Sequence, residues 1–361
     1  MMNKIKSLII FLLSAIALAS GAQSNNGEYK IEVEIDHLPV LDQGSTGTCW
    51  SFATTSFLES EILRKGFPET NLSEMYFVYY AYQNKGKNYL DTEGKAHFSQ
   101  GGQAHDVIDV LNDYGMVTYE AFEGEKVNGR YVHRPLSRKL KKELEKLNKK
   151  EKQIDIEKSR SFNKILKKEL GKVPRKFKAA NTRFNPGDFP ENFEINPADY
   201  IEITSYTNNP FYEPFALDVP DNWSKDLYYN LPINELMEVM YFSLKNGYTV
   251  CWDGDTSEKT FRHKKGYADL PKKYKGKVNQ KLRQKTFEDG STSDDHLMHV
   301  VGLSKNSKGE SCFLTKNSWG ADGNDYDGYL HMTDDYVRLK TIAILVHKDA
   351  VPKKIRKKLN L

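Results

Sequence analysis

The sequence is poor in cysteine, with only Cys49, Cys251 and Cys312 among its 361 residues. Three cysteines cannot make a disulfide framework in a chain of this length. An odd number leaves at least one free thiol, which in an exported protein calls for a chemical role. The first cysteine stands far from the N-terminus, which excludes a lipoprotein anchor on a modified cysteine. Cys251 and Cys312 lie in apolar stretches, so we expect both to be buried, either free or bridged to each other.

Long apolar runs are also lacking, apart from one near the start of the chain, Ser7 to Ala19. About a dozen residues are too few to cross a bilayer. Lys4 and Lys6 precede the run and Ser20-Gly21-Ala22 follows it, which is the pattern of a cleaved export signal. We therefore expect residues 1–22 to be a signal peptide, the mature protein to be secreted or periplasmic, and no stable membrane anchor.

Neither sign of charge dominates the whole chain, whose formal net charge is +4. The segment from Arg138 to Lys178 is different, with 17 basic and 6 acidic residues. Its apolar residues follow two helical stripes, Leu140 to Leu147 and Phe162 to Leu170. Such a segment is either a basic surface for acidic partners or a solvated helical insertion. We favour the insertion, and because export argues against a nucleic-acid role, we expect no nucleic-acid partner.

Helices dominate the first half of the sequence and strands the second. Aromatic residues are plentiful, which indicates a packed globule rather than disorder. Apolar spacing predicts helices over Trp50–Lys65, Ser73–Gln83, Gln103–Tyr114 and Leu231–Leu244. Strands are predicted over Tyr29–Ile35, Asp199–Tyr206, Tyr248–Trp252, His296–Leu303, Cys312–Lys316, Tyr329–Met332 and Thr341–Val346.

The sharpest local pattern is the string Gln43 to Ala53, which reads Gln-Gly-Ser-Thr-Gly-Thr-Cys-Trp-Ser-Phe-Ala. A loop that contains glycine delivers Cys49 to the first turn of a helix. There the helix dipole and the free backbone N–H groups favour an anion, which lowers the pKa of a thiol. A nucleophilic cysteine needs this placement together with a base and an oxyanion site.

This string resembles the active-site signature of the papain-like cysteine peptidases. Thr46 replaces the cysteine that the family normally places three residues before the nucleophile. Two further blocks are similar to family motifs: Lys316-Asn317-Ser318-Trp319-Gly320, followed by Gly328-Tyr329, and Ser99-Gln100-Gly101-Gly102, which resembles the glycine pair of the substrate cleft. The blocks extend from about Leu41 to Val346 in the expected order.

The catalytic base must be either His296 or His299. Residues three apart on a strand point to opposite faces, so both cannot reach one cleft. The family places its histidine six residues before a glycine and about 20 before the asparagine, and His296 stands six before Gly302 and 21 before Asn317. We therefore choose His296. A metal site of Asp294, Asp295, His296 and His299 fails for the same alternation, so we expect no metal and no cofactor.

The resemblance implies a role for each matching residue. Cys49 attacks the scissile carbonyl, His296 carries the proton to the leaving amine, and Asn317 orients His296. Gln43 and the backbone N–H of Cys49 donate to the oxyanion. Gly101, Gly102 and Trp319 contribute to the substrate site, and Trp319 also shields the hydrogen bond between His296 and Asn317.

The family fold implies an α+β architecture of two lobes, one helical and one an antiparallel β-barrel-like lobe. Cys49 and His296 are 247 residues apart, against roughly 130–150 in ordinary members. We therefore expect a helical lobe over 23–125, an inserted basic helical arm over 126–200, and a β-rich lobe over 201–361.

The long insertion, with strings such as Asp218-Val219-Pro220-Asp221-Asn222-Trp223, resembles the bleomycin hydrolase and aminopeptidase C branch. That branch implies an aminopeptidase acting on peptide or protein substrates, and a homo-oligomer joined through the arm. Only nine residues follow Val351-Pro352, fewer than a tail that fills the cleft would need, so endopeptidase action stays open. A papain-fold binding protein without catalysis is a further alternative.

Overall fold

The computed structural model describes residues 28–149 and 154–361. The expected signal peptide, 1–22, lies outside the described residues. The helices are α1 (Cys49–Arg64), α2 (Glu74–Asp91), α3 (Ala104–Tyr114), α4 (Arg134–Asn148), α5 (Arg160–Leu170), α6 (Ile233–Lys245), α7 (Gln280–Glu288), α8 (Asp334–Lys340) and α9 (Lys353–Leu359). The strands are β1 (Tyr29–Glu34), β2 (Phe177–Ala179), β3 (Thr182–Phe184), β4 (Tyr200–Thr204), β5 (Pro214–Ala216), β6 (Leu227–Asn230), β7 (Val250–Gly254), β8 (Phe261–Arg262), β9 (Tyr267–Ala268), β10 (His296–Asn306), β11 (Ser311–Lys316), β12 (Tyr329–Thr333) and β13 (Thr341–His347).

The α+β fold with a helical lobe and a sheet lobe is confirmed. Helix α1 lies at the centre, and all its residues from Cys49 to Ile62 are buried. Most of its residues are apolar or small on every face, and Glu59 and Glu61 are buried with them, as expected of a helix that is surrounded by protein. Helices α2 and α3 pack on one side of α1, and strand β10 lies on the other. Within the described ranges, no helix is long and apolar enough to cross a membrane.

The basic segment forms α4 and α5, which pack back onto α2. Their apolar stripes are buried in the same core as the helical lobe. The Phe162 ring lies so close to Gly86 of α2 that a Cβ on Gly86 would stand 3.0 Å from it, and Gln83 Nε2 donates to Asn163 Oδ1 at 2.8 Å. The two helices therefore extend the helical lobe, while their charged residues face solvent. The limits of the insertion, 126–200, stay a prediction.

The second lobe is built on one large sheet of the order β5-β6-β4-β13-β7-β10-β11-β12-β9-β8, with β1 added along β10. Its central pairs are antiparallel, whereas β4–β6 and β12–β9 are parallel. Gly302 allows the edge contact with β1, since a Cβ there would stand 2.1 Å from the Val33 carbonyl oxygen.

The two faces of this sheet have different neighbours. Cys251 and Leu297 belong to the core shared with α1. The alternate residues Trp252 and Met298 belong to a second core, which is covered by α6. This alternation follows from the pleat of a strand. The sheet therefore separates α6 from the helical lobe.

The C-terminal helix α9 lies on the α6 side of the sheet. Ile355 and Leu359 are buried in the core beneath α6. Two ion pairs hold α9 to α6, Lys354–Glu238 at 2.9 Å and Lys358–Glu235 at 2.6 Å.

Candidate active site

Cys49 is the first residue of α1 and is 9% exposed. Thr48, the N-cap residue, makes no side-chain hydrogen bond to the first turn. Ser51 N donates to the Thr48 carbonyl at 3.0 Å, so the N–H groups of Cys49 and Trp50 are the ones that can face an anion. The backbone N–H of Leu297 lies within hydrogen-bonding reach of the Cys49 sulfur and lowers its pKa. Leu297 directly follows His296, so this contact places the Cys49 sulfur beside the first residues of β10.

His296 and Asn317 are directly bonded. His296 Nε2 donates to Asn317 Oδ1 at 2.8 Å, and both side chains are buried. His296 begins β10, whereas Asn317 directly follows β11, the neighbouring strand. The Trp319 ring lies against the His296 ring with centroids 4.8 Å apart. Trp319 is 37% exposed, so its outer face forms part of the site's surface.

A second histidine, His263, completes the surroundings of Asn317. The amide Nδ2 of Asn317 donates to His263 Nδ1 at 3.2 Å, while Ser318 N donates to Asn317 Oδ1 at 2.8 Å. These contacts leave the amide one orientation, with its oxygen toward His296. The His263 ring also meets Trp319 edge-on at 4.7 Å. His263 stands in a basic run before residue 266, so nothing in the sequence marks it as part of a site.

Gln43 is held beside the same segment. Its Oε1 accepts from Ser318 Oγ at 2.5 Å, and its Nε2 donates to the Thr46 carbonyl at 2.8 Å. An amide nitrogen has two hydrogens, so one remains to donate to a substrate oxygen. The backbone adds a bond from Gln43 N to Ser318 O at 2.9 Å. Gly44 is required in this loop, because at φ +68° any Cβ would stand 2.6 Å from the Tyr131 carbonyl oxygen.

Burial dominates the protonation of the Cys49–His296 pair. It raises the pKa of the Cys49 thiol to about 12, more than the Leu297 N–H lowers it. Burial also lowers the pKa of His296, which the hydrogen bond to Asn317 partly offsets. Burial therefore outweighs the hydrogen bond at the sulfur, and the effect of the helix N-terminus on the thiol pKa stays a prediction. Thiolate formation here requires transfer of the proton to His296, which creates two opposite charges that offset each other's burial.

Gly101 and Gly102 lie between the first turn of α1 and α3. Trp50 Nε1 donates to the Gln100 carbonyl at 3.0 Å, which fixes this extended segment against α1. A Cβ on Gly102 would stand 3.1 Å from the Trp50 ring, so the segment can pass this close only as glycine. The ammonium group of Lys85, in α2, donates to the Gly101 carbonyl.

His299 lies apart from the triad, in a buried polar cluster between α1 and the sheet. Its Nδ1 is bonded to Ser56 Oγ at 2.9 Å, and Lys316 Nζ donates to the same oxygen at 2.7 Å. Glu59 and Glu74 are buried nearby and both act on the pKa of Lys316. His296 and His299 therefore point to different neighbours, although the catalytic role of His296 stays a prediction.

All three cysteines are free thiols. Among the described residues, no group of three or more acidic, histidine or cysteine side chains is arranged to hold a metal ion.

Comparisons with known proteins agree with this architecture. A family model described as the Peptidase C1-like family matches residues 11–361. Aminopeptidase W of Lactobacillus delbrueckii subsp. lactis is 23% identical over 395 residues, which cover 95% of this chain and 88% of that protein. Aminopeptidase C of the same organism is 21% identical, with coverage of 95% and 90%. Chicken bleomycin hydrolase is 30% identical over 159 residues, covering 41% of this chain and 34% of that protein.

One solved structure resembles nearly the whole chain. The crystal structure of PepW from Lactobacillus rhamnosis superimposes with a TM-score of 0.72 at 19% identity, covering 92% of this chain and 84% of that one. At this level of identity, the likeness establishes the fold.

Proposed function

Because the chain belongs to the Peptidase C1-like family of papain-like cysteine peptidases, we propose that it is a thiol-dependent aminopeptidase that uses Cys49, His296 and Asn317. The bond of 2.8 Å from His296 to Asn317, made beside the sulfur of Cys49, is the observation that carries the proposal. The relatives named aminopeptidase W and aminopeptidase C support the proposal that the enzyme removes residues from the N-terminus of its substrate.

Each residue of the site then has a chemical task. His296 takes the thiol proton as Cys49 attacks the scissile carbonyl, and returns it to the departing amine. Asn317 keeps the His296 ring in one tautomer and orientation. The free N–H of Gln43 and the backbone N–H of Cys49 stabilise the oxyanion, each worth about 2.7–4 kcal/mol in comparable sites. Water then releases the acyl group from Cys49.

The proposal is tested with a fluorogenic aminoacyl amide and a thiol-reactive peptidyl probe. Cys49→Ala should lose both hydrolysis and labelling while keeping the circular dichroism spectrum of the wild type. Cys312→Ala is the matched control, since Cys312 is buried in β11 and should leave turnover unchanged. Labelling without any hydrolysis would instead favour a binding protein with a reactive thiol.

Endopeptidase action is the second candidate, and the position of α9 favours it. The described tail lies under α6, on the opposite face of the sheet from α1, so its carboxylate is not delivered to Cys49. Equal cleavage of a peptide amide and its N-acetylated twin would decide for the endopeptidase.

Export and assembly are part of the same proposal. We infer from the first 22 residues that the protein is secreted or periplasmic. N-terminal sequencing of the mature protein should give a start near Gln23. The charged outer faces of α4 and α5 are the surface through which subunits would join. Reversing several of their exposed lysines should change the mass measured by light scattering but leave the helical core intact, because the leucine stripes are untouched.

A further inference from the structure

Three aspartates that the triad does not use lie beside Cys49: Asp221, Asp253 and Asp294. Burial is the first cause of the raised pKa of the Cys49 thiol, and all three carboxylates add to it. They come from separate parts of the chain. Asp221 belongs to the loop before β6, Asp253 to strand β7, and Asp294 to the turn before β10. We name them the acidic pocket.

Asp253 forms the base of the acidic pocket. It is the Cα partner of Leu297 across β7 and β10, and opposite residues of an antiparallel pair share one face. Since the Leu297 amide reaches the Cys49 sulfur, Asp253 lies next to the reacting group. Asp253 is 3% exposed and hydrogen-bonds to Asp294, its neighbour in the acidic pocket, while among the described residues no donor from outside the pocket reaches its oxygens. Two carboxyl groups this close must share a proton, and a cation bound between them would remove that need.

The other two aspartates line the opening. Gln103 Nε2 donates to Asp294 Oδ2 at 2.8 Å, and the backbone of Asp221 also bonds to Asp294. Asp221 lies over Gly101, where a Cβ would come within 1.9 Å of its Oδ2. Asp221 and Asp294 are partly exposed whereas Asp253 is buried. The pocket therefore opens onto the glycine segment beside Cys49.

Positive charge is short around the acidic pocket. Lys85 is buried nearby and bonded to the Gly101 carbonyl. Its charge acts on Asp106 and Asp221, and His97 also acts on Asp221, but neither cation is among the groups that act most on Asp253. His105 is committed to Glu202 at 2.6 Å, and Asp226 lies 3.6 Å from its other nitrogen. The charged groups that act most on Asp253 are all carboxylates: Asp294, Glu202 and Asp221.

We propose that the acidic pocket binds the free α-ammonium group of the substrate. This inference rests on the aminopeptidase proposal and adds the residues that would select for it. An ammonium group brings three donors and a positive charge, and that charge would offset the repulsion between Asp253 and Asp294. In an aminopeptidase substrate, the ammonium nitrogen is two bonds from the carbonyl that Cys49 attacks, so it must lie beside the sulfur. The carboxylate that follows α9 lies on the far side of the sheet and cannot pair with an ammonium group bound beside Cys49.

The test compares a leucyl amide with a free amine, its N-acetylated twin, and an N-acetylated dipeptide amide whose first residue is lysine. Asp221→Asn, Asp253→Asn and Asp294→Asn are each measured, with active sites counted by the thiol probe. Each substitution should lower kcat/KM on the free amine about 10- to 150-fold, chiefly through KM, since a charged hydrogen bond is worth about 1.5–3 kcal/mol. The acetylated leucyl amide should lose no rate. Asp91→Asn, an exposed change at the end of α2, is the matched control.

Equal losses on the free and the acetylated amide would overturn the inference, because they would mark a structural role. A loss confined to the lysine substrate would also overturn it, since the pocket would then bind a side chain. If Asp253→Asn does not fold, Asp221→Asn at the opening gives the same comparison. Wild-type enzyme that cleaves both leucyl amides equally would refute the ammonium site and leave the peptidase proposal standing. Wild-type enzyme that cleaves no substrate would refute the peptidase proposal itself.

Discussion

Lys316 offers a prediction whose size and pH dependence follow from its surroundings. This residue directly precedes Asn317 and is buried between α1 and the sheet. Its ammonium group donates to Ser56 Oγ at 2.7 Å and lies close enough to Glu59 and Glu74 to act on both. Burial raises the pKa of each glutamate, and Lys316 counters part of that rise. Lys316→Met keeps the length of the side chain and removes its charge.

Removing one partner of a buried charged group costs about 3–5 kcal/mol. We expect Lys316→Met to lose this much stability at pH 8, where the buried glutamates must either carry an unpaired charge or take up a proton from solution. A carboxyl with a raised pKa favours the folded state most below its unfolded pKa, and that contribution is lost as the pH rises through the folded pKa. Without Lys316 the pKa values of Glu59 and Glu74 rise further, so the loss grows with pH and should nearly vanish near pH 4.5.

Urea unfolding at pH 4.5 and pH 8 measures both values. With a slope of about 3 kcal/mol per molar urea, the midpoint should fall by about 1–1.7 M at pH 8 and far less at pH 4.5. The double variant Lys316→Met, Glu59→Gln is the control, and it should regain part of the loss at pH 8. An equal destabilisation at both pH values would refute the electrostatic reasoning and leave only lost packing.

Three further predictions concern the site. The KM for a free-amine substrate should fall as the pH rises from 5 toward 7.5, because burial raises the pKa of Asp294 and only the charged carboxylate binds the ammonium group. Above about pH 8 the α-amine of the substrate loses its own proton, so the KM should rise again. Gly101→Ala should raise the KM for the same substrate and not for its acetylated twin, since the new Cβ displaces the Asp221 carboxylate. His263→Ala should lower kcat about 2- to 12-fold, the worth of one neutral hydrogen bond of 0.5–1.5 kcal/mol to Asn317, and stopped-flow acylation rates should show the loss in the chemical step.

Apolar spacing was enough to predict most of the long elements. The predicted helix Trp50–Lys65 is α1, and the predicted strand His296–Leu303 is the first part of β10. Helix α2 runs to Asp91, two turns past the predicted end at Gln83, and Gly86 within it packs against the Phe162 ring. A glycine that serves packing between helices cannot be told from one that ends a helix without the partner in view.

The short elements had no such signal. Strands of two to four residues, such as β8 and β9, are stabilised by their neighbours in the sheet and carry no periodicity of their own. Helix α9 reads as a basic tail, since Lys353 to Lys358 contains a single apolar residue, Ile355. Its apolar side is defined only by contact with α6.

The residues of the site also fall into those that a sequence pattern marks and those that no pattern marks. Cys49, Gln43 and Asn317 stand in strings that carry their own pattern. The structure places Gln43 and Asn317 against Ser318, and Cys49 against Leu297. The acidic pocket had no pattern, because Asp221 and Asp294 are 73 residues apart and meet only where the loop before β6 lies against the turn before β10. Asp253 occupies an alternating strand position that otherwise reads as core. Its place in the acidic pocket appears only when its contact with Asp294 is seen in the structure.

The position of α9 determines what kind of selectivity this cleft can have. A tail lying in the cleft would block longer substrates by its bulk, whereas here the described tail is fixed beneath α6 by Ile355 and Leu359. A charged pocket attracts an ammonium group but leaves the space beside it open. Selection for the free N-terminus would then be electrostatic, and its size is limited to the 10- to 150-fold that a charged hydrogen bond of about 1.5–3 kcal/mol provides. Blocked peptides should therefore be cleaved slowly rather than excluded, and the discrimination should weaken as salt screens the partly exposed Asp221 and Asp294.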